Sequence, residues 1–249
     1  MRVLLTGASR GIGHAIAESL IARQDRVALA VRDVSAPAVR ELLARAPGSV
    51  ALPVDLADRA LTSTLVERAC DALGGLDALI NCAGIVRYAA LSELTPAELY
   101  QQFEINCFAP LWLARAAAEH LAAQGGGAIV SVASTLGLKP APLTAAYAAS
   151  KAALISFTRS LALEFAAARV RVNAVAPGIV DTEMVRVARP GTAGAPPLSA
   201  EQQLAQLSAL HPLGRLGTPA EIAEAVLYLV DARFVTGTVL VADGGLLLA

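Results

Sequence analysis

Only three of the 249 residues are cysteines, Cys70, Cys82 and Cys107, widely spaced and without a Cys-x-x-Cys pair. An odd count with no histidine nearby argues for neither a disulfide framework nor a zinc site, so no metal is expected, and the usage fits a reducing cytoplasm. Long hydrophobic runs are missing as well. No stretch approaches the roughly eighteen apolar residues of a membrane span, and Val3-Leu4-Leu5 is broken at Thr6-Gly7, too short for the core of a secretory signal. Nor is there an excess of one charge. Twenty basic residues stand against twenty-one acidic, with no block of one sign, which removes the electrostatic reason to expect nucleic acid or an anionic membrane as partner. No compositional boundary divides the chain. One domain spanning residues 1–249 with a small-molecule ligand is the expectation.

Lysine is the scarcest charge: Lys139 and Lys151 alone among twenty basic residues. Where arginine serves as the default cation, a retained lysine points to a need for a compact, mobile ammonium. Lys151 follows Tyr147 by four places in Tyr147-Ala-Ala-Ser150-Lys151, and positions i and i+4 share a helix face. A cation ~4 Å from a phenol at an effective dielectric near 20 favours the phenolate by roughly 4 kcal/mol. That is up to about three pKa units, enough to bring a tyrosine from about 10 toward neutrality, where acid/base catalysts work best. The same spacing also describes an ordinary solvated helix pair.

Short β-branched runs alternate with longer amphipathic segments along the chain, the pattern of a parallel sheet covered by helices on both faces. Seven strands are predicted, at residues 2–6, 26–31, 50–54, 78–81, 128–132, 171–175 and 238–242. Helical spacing marks 12–23, 36–45, 58–73, 98–122, 147–167 and 219–230. Thr218-Pro219-Ala220-Glu221 has the form of an N-cap followed by proline at the first helical position. The alternation lapses between Val180 and Leu213, and Pro- and Gly-rich residues 189–197 are loop-like. A long loop after the carboxyl end of a strand is a candidate substrate lid, placed here at about 183–210; a surface insertion is the competing account.

Immediately after the first strand runs Thr6-Gly7-Ala8-Ser9-Arg10-Gly11-Ile12-Gly13, opening a helix. Strand, glycine turn and helix together suit a pyrophosphate: the chain approaches without a Cβ in the way and the helix N-terminus attracts negative charge. At the end of the second strand, an acidic side chain would select NAD and a basic one NADP. The strand ends Ala30-Val31-Arg32-Asp33. Arg32, with Arg10, is suited to grip a 2′-phosphate, so NADP(H) is preferred; Asp33 keeps NAD(H) open, since a small register shift would bring its carboxylate to the ribose. Asp55, after the third strand, is a candidate acceptor for the adenine amine or else a helix cap. Asn81-Cys82-Ala83-Gly84 would let backbone approach a cofactor, or simply form a turn. Asn106 interrupts an apolar helix where asparagine is unfavourable. Ser134 lies at the end of the fifth strand.

Taken in order, the glycine turn, Asp55, Asn81-x-Ala83-Gly84, Asn106, Ser134 and Tyr147-x-x-x-Lys151, then Arg171-Val-Asn-Ala-Val-Ala-Pro177-Gly178, Thr182, Gly214-Arg-Leu-Gly-Thr-Pro-Ala-Glu221 and Asp243-Gly-Gly245, resemble the short-chain dehydrogenase/reductase family over essentially the whole chain. The resemblance implies a doubly wound α/β Rossmann fold of seven parallel strands and a homotetramer or homodimer. It also implies a tetrad in which Ser134 and Tyr147 meet the carbonyl oxygen, Lys151 keeps the phenolate accessible and holds the nicotinamide ribose, and Asn106 anchors a water. On the same likeness the cofactor contacts are Gly7, Ser9, Arg10, Gly11, Ile12, Gly13, Arg32, Asp55 and Leu56, then Asn81, Ala83, Gly84, Tyr147 and Lys151, and finally Pro177, Gly178, Ile179, Val180 and Thr182. Cys82 replaces the usual second asparagine, and Val230–Phe234 is shortened. The chain is similar to 3-oxoacyl-carrier-protein reductases and to small-molecule alcohol dehydrogenases. A carrier-protein enzyme should show basic residues at its entrance; Arg169 and Arg171 are the candidates near the sixth strand. A small ketone and its alcohol are favoured, with a 3-oxoacyl thioester as the alternative and a non-catalytic NADP-sensing module as a third reading. Apolar positions Phe103, Phe108, Trp112, Phe157 and Leu161 could face a second subunit or pack internally.

Overall fold

In the computed structural model, which describes residues 1–186 and 199–249, seven apolar runs form one parallel sheet. They are β1 (Arg2–Thr6), β2 (Arg26–Val31), β3 (Val50–Pro53), β4 (Ala78–Asn81), β5 (Gly127–Val132), β6 (Val170–Pro177) and β7 (Val239–Ala242). Their order across the sheet is β3-β2-β1-β4-β5-β6-β7. Around the sheet lie α1 (Gly11–Ala22), α2 (Pro37–Ala44), α3 (Arg59–Ser63), α4 (Leu65–Leu73), α5 (Pro96–Phe103), α6 (Ala109–Ala123), α7 (Ala145–Phe165), α8 (Glu183–Arg186), α9 (Ala200–Ala209) and α10 (Pro219–Asp231).

Successive strand residues point to opposite faces, and here both faces are buried. Val3, Leu5, Val27 and Leu29 pack against Ile16 and Leu20 of α1 and Val226 and Leu229 of α10. Leu4, Ala28 and Leu79 pack on the other side against Leu65 and Leu73 of α4 and Leu113 and Leu121 of α6. Two-sided burial explains why the strands read as continuous apolar runs without alternation. Each of the buried valines, leucines and isoleucines contributes about 1.5–3 kcal/mol of transfer free energy. The predicted Thr218 cap is present: its hydroxyl accepts from the Glu221 amide at 3.3 Å while the Glu221 carboxylate accepts from the Thr218 amide at 2.8 Å.

Three predicted segments differ. The 58–73 helix is two helices meeting at Thr64, where the hydroxyls of Ser63 and Thr64 donate to the carbonyls of Ala60 and Leu61 and compete with the helical ladder. The 98–122 helix is α5 and α6 joined by a π-helical turn at Glu104–Phe108. Pro110 is the cause: it has no N–H to give the carbonyl of Asn106 four residues earlier, and its ring would clash there, so the turn widens. In the 183–210 segment, α8 and α9 stand where the sequence suggested loop alone, and residues 187–198 lie outside the described residues. The Ser199 hydroxyl and Gln202 side chain form a reciprocal cap on α9.

Candidate active site

The strand order reverses between β1 and β4, and in open parallel sheets the crevice at the carboxyl ends beside such a point binds ligands. A cavity of about 780 Å³ opens there. Its wall at β1 is the glycine turn. A Cβ on Gly13 would stand 2.1 Å from the Gly7 carbonyl oxygen, and one on Gly7 would stand 2.7 Å from the Ala83 backbone, so only glycine allows α1 and the β4 end to approach β1 this closely. The Thr6 hydroxyl accepts from the amides of Cys82 and Ala83 at 3.1 and 3.2 Å, tying the two strand ends together. Arg10 caps α1 without a side-chain bond to it, which leaves the first-turn amides of α1 facing the cavity. This cradle of backbone N–H groups fits a dinucleotide pyrophosphate.

Nearly all the residues singled out for a cofactor line this cavity: Gly7 and Ser9 through Gly13 of the glycine turn, Arg32, Asp55, Leu56, Ala83, Gly84, and Pro177 through Val180 with Thr182. Asn81 does not. Its side chain is buried and donates to the Pro110 carbonyl at 3.2 Å, so it fastens β4 to α6 one residue short of the opening. Asp33 is also turned away. Its carboxylate accepts from the Ser35 amide and hydroxyl at 2.8 and 2.6 Å, which lowers its pKa, while exposed Arg32 is the one of the pair that lines the cavity. Asp55 lines the cavity and accepts from the Ala57 amide; the cap of α3 is Asp58, so the helix-capping alternative for Asp55 falls away. Arg10 meets Glu183 of α8 at 2.8 Å, both side chains well exposed.

Ser134, Tyr147 and Lys151 come together on the cavity floor. Ser134 ends the β5 segment in extended geometry and its hydroxyl accepts from the Leu136 amide at 3.1 Å. Tyr147 and Lys151 share one face of α7, with the lysine Nζ 5.8 Å from the tyrosine ring centre. The ammonium is buried and donates to the Val132 carbonyl at 2.7 Å. Burial pushes Lys151 down to about 8, opposed by the thiols of Cys82 and Cys107. Burial likewise pushes the Tyr147 phenol up to about 12, opposed by its hydrogen bond with Ser134. The expectation that Lys151 brings the phenol toward neutrality is therefore corrected: desolvation dominates, and Ser134 is the side chain whose hydrogen bond opposes it. One of the three ammonium hydrogens of Lys151 is held by the Val132 carbonyl.

Asn106 sits in the π-helical turn and is fully buried. Its Oδ1 accepts from the Ile85 amide at 2.8 Å, and its Nδ2 donates to the Ile85 carbonyl and the Ser150 hydroxyl at 2.9 and 3.2 Å. Both amide hydrogens are used, so the side chain is a brace between the β4 loop and α7, and Asn106 does not line the cavity. A Cβ on Gly84 would fall 3.3 Å from its Oδ1 and 3.6 Å from the Lys151 Nζ, which makes Gly84 the spacer between them. Other wall residues carried no sequence signal for this place, among them Tyr88, which raises the Tyr147 pKa, and Leu246 and Leu247.

A doubly wound sheet with a glycine-lined nucleotide crevice leading to a Ser, Tyr and Lys group defines a nicotinamide-dependent oxidoreductase of alcohols and carbonyls. Comparisons with known proteins agree. Residues 7–247 match the family model described as Enoyl-(Acyl carrier protein) reductase. Carbonyl reductase family member 4 of Xenopus tropicalis is 35% identical over 240 residues, covering 96% of this chain and 95% of the relative. Cis-4-hydroxycyclohexanecarboxylate dehydrogenase of Sinomonas cyclohexanicum is 38% identical, over 97% and 94%. A solved chain from Beutenbergia cavernae, provisionally assigned as an NAD(P)-dependent gluconate 5-dehydrogenase and holding NADP at low occupancy, superposes with a TM-score of 0.89 at 33% identity, covering 99% of this chain and 96% of that one. The chain belongs to the short-chain dehydrogenase/reductase family.

Proposed function

We propose that the protein interconverts a small apolar ketone and its secondary alcohol with NADP(H), Tyr147 carrying the proton. The observation that supports this most is that one cavity brings Ser134 and Tyr147 together with two kinds of lining, polar and apolar. The polar lining comprises the glycine turn, Arg10, Arg32 and Asp55; the apolar lining includes Ile85, Val86, Leu136, Leu143, Met184 and Leu246.

When bound, the nicotinamide ring supplies or takes up hydride at the carbonyl carbon. The chain's own groups manage the oxygen. The Ser134 hydroxyl and Tyr147 phenol both reach the cavity and are placed to donate hydrogen bonds to a carbonyl oxygen as negative charge grows on it. A phenol raised to about 12 is a weaker acid than an ordinary tyrosine, yet an alkoxide is a stronger base than its phenolate, so in reduction the proton passes from the Tyr147 oxygen to the substrate oxygen. The Lys151 ammonium in the same buried pocket then stabilises the phenolate left behind, together with Ser134. Asn106 positions the Ile85 loop and α7 and is a positioning residue. Lys151 also lies against Gly84, where a cofactor ribose would enter, in keeping with a role in holding it.

Preference for NADP(H) rests on Arg32 at the cavity rim and on Asp33 being held by Ser35. Against a carrier-protein substrate, Arg171 donates to the carbonyls of Leu229, Val230 and Ala232 and so closes the end of α10, and both Arg169 and Arg171 lie at the amino end of β6, away from the opening. This bonding also accommodates the shortened 230–234 segment. The family-model description keeps an acyl thioester as the second reading. Self-association is supported by exposed Tyr100, Trp112 and Leu163 on α5, α6 and α7, and light scattering will read whether it yields a dimer or tetramer. No helix among the described residues is long and apolar enough to cross a membrane.

The test is NADPH oxidation with a panel of small ketones and an acetoacetyl thioester, on the unsubstituted protein and Tyr147→Phe. Turnover of ketones that falls by about 10²–10⁴ in the variant, with NADPH binding retained, supports the reading. Preferential turnover of the thioester would replace the substrate class, and tight NADPH binding with no turnover of any carbonyl would leave a cofactor-sensing module.

A further inference from the structure

The apolar lining of the cavity includes a piece of chain that the family motifs leave unassigned. After β7, Asp243-Gly244-Gly245 leads into a short 3-10 turn at Leu246–Leu248. Leu246, Leu247 and Ala249 line the cavity, and so do Lys139, Pro140, Ala141 and Pro142 of the segment between β5 and α7. The two segments therefore share the cavity wall and meet where Lys139 reaches Ala249.

The root of the turn is well fixed. The Asp243 carboxylate accepts from the amides of Gly245 and Leu247, each at 2.9 Å, and the Gly244 carbonyl accepts from the Leu213 amide at 3.2 Å. The far end is held differently. The Lys139 ammonium donates to the Ala249 carbonyl oxygen at 3.0 Å, and among the described residues this is the one hydrogen bond from positions 248–249 to another element. Leu248 is 93% exposed, so apolar packing of that side chain adds nothing to the closure. A lysine in a chain that otherwise uses arginine thus spans the mouth of the cavity, and its long flexible stem suits a fastening that opens and shuts.

We propose that residues 246–249 are a substrate-selecting strap fastened by Lys139, which admits compact ketones and resists bulky or extended ones. The inference rests on the ketone reading above and adds a size limit to it. Leu246 and Leu247 supply an apolar wall, and the Lys139 bond sets how readily that wall yields.

The experiment compares the intact protein with Lys139→Met and Lys139→Arg, using cyclohexanone and trans-2-decalone as the compact and bulky probes and amide hydrogen exchange over residues 243–249. In the methionine variant the kcat/KM ratio of decalone to cyclohexanone should rise about five-fold, in the range of one ordinary hydrogen bond, and exchange at 246–249 should quicken. Arginine, which restores a donor, should return both toward the starting values. An unchanged ratio, or unchanged exchange in the methionine variant, overturns the strap. Failure of the ketone reading has a separate sign, no turnover of either ketone by the unsubstituted protein, and the exchange comparison then decides the strap by itself.

Discussion

Replacing Lys151 by methionine should stabilise the fold at neutral pH and lose most of that advantage in alkali. The side chain is buried, its ammonium has one backbone acceptor, and its pKa is depressed from 10.5 to about 8. Below pH 8 the lysine is charged in both folded and unfolded chains, and the desolvation cost is borne in full. Between about 8 and 10.5 the unfolded chain keeps its proton while the folded chain has released it, so the cost shrinks; above 10.5 neither is charged and it vanishes. That depression corresponds to about 3 kcal/mol at 1.36 kcal/mol per pKa unit. By the same linkage about 1 kcal/mol remains at pH 9.5. Urea unfolding of the two proteins at pH 7 and pH 9.5 measures this directly. The methionine variant's stability relative to the parent should fall by about 2 kcal/mol across that interval, while groups common to both proteins cancel to first order. Methionine also removes the donor to Val132, a loss nearly independent of pH, so the change with pH carries the information and not the offset. A flat difference between pH 7 and 9.5 would show that the ammonium is well solvated and would refute the account of the floor of the site.

Arg32→Asp should shift the ratio of kcat/KM for NADPH over NADH toward NADH by about 10–100-fold, the scale of one charge-assisted hydrogen bond; steady-state kinetics with both cofactors reads it. Asp33→Asn should leave that ratio alone, because the carboxylate is held by Ser35, and a shift would place Asp33 at the ribose after all. Gly13→Ala forces a Cβ against the Gly7 carbonyl and should lower stability by about 1–3 kcal/mol and weaken NADPH binding, measured by thermal unfolding and cofactor fluorescence. Asn106→Leu leaves the Ile85 amide and carbonyl without their buried partners, an expected loss of about 1–3 kcal/mol per group; unfolding by urea checks this.

The sheet was legible because its central strands are buried on both faces and punctuated by glycine or a polar residue, as at Thr6-Gly7 and Asn81-Cys82. The cofactor crevice was legible for the same reason: Gly7 and Gly13 are required by distances of closest approach, and such requirements leave marks in sequence. What escaped reading depends on contacts between distant segments. Asn81 is placed beside a cofactor by the likeness and by the backbone of its segment, whereas the bond of its buried side chain to the Pro110 carbonyl has no local signature. Asn106 was correctly singled out as a polar intruder in an apolar helix, but its partners, Ile85 and Ser150, are visible only once α5 through α7 are folded. The breaks at Thr64 and Pro110 had local causes that a longer apolar periodicity overrode. The pKa values of Tyr147 and Lys151 could not be anticipated from spacing, since burial sets both and four residues of helix say nothing about depth.

The widened turn before Pro110 has a consequence for how durable the neighbouring geometry is. Because the missing donor is a covalent property of an imino acid, no change of temperature, occupancy or remote sequence can anneal residues 104–108 into a regular spiral. The brace at Asn106 is thus presented by a defect hard-wired four residues downstream. Transplanting the site to another scaffold would require carrying residue 110 along with the groups that touch the reactants.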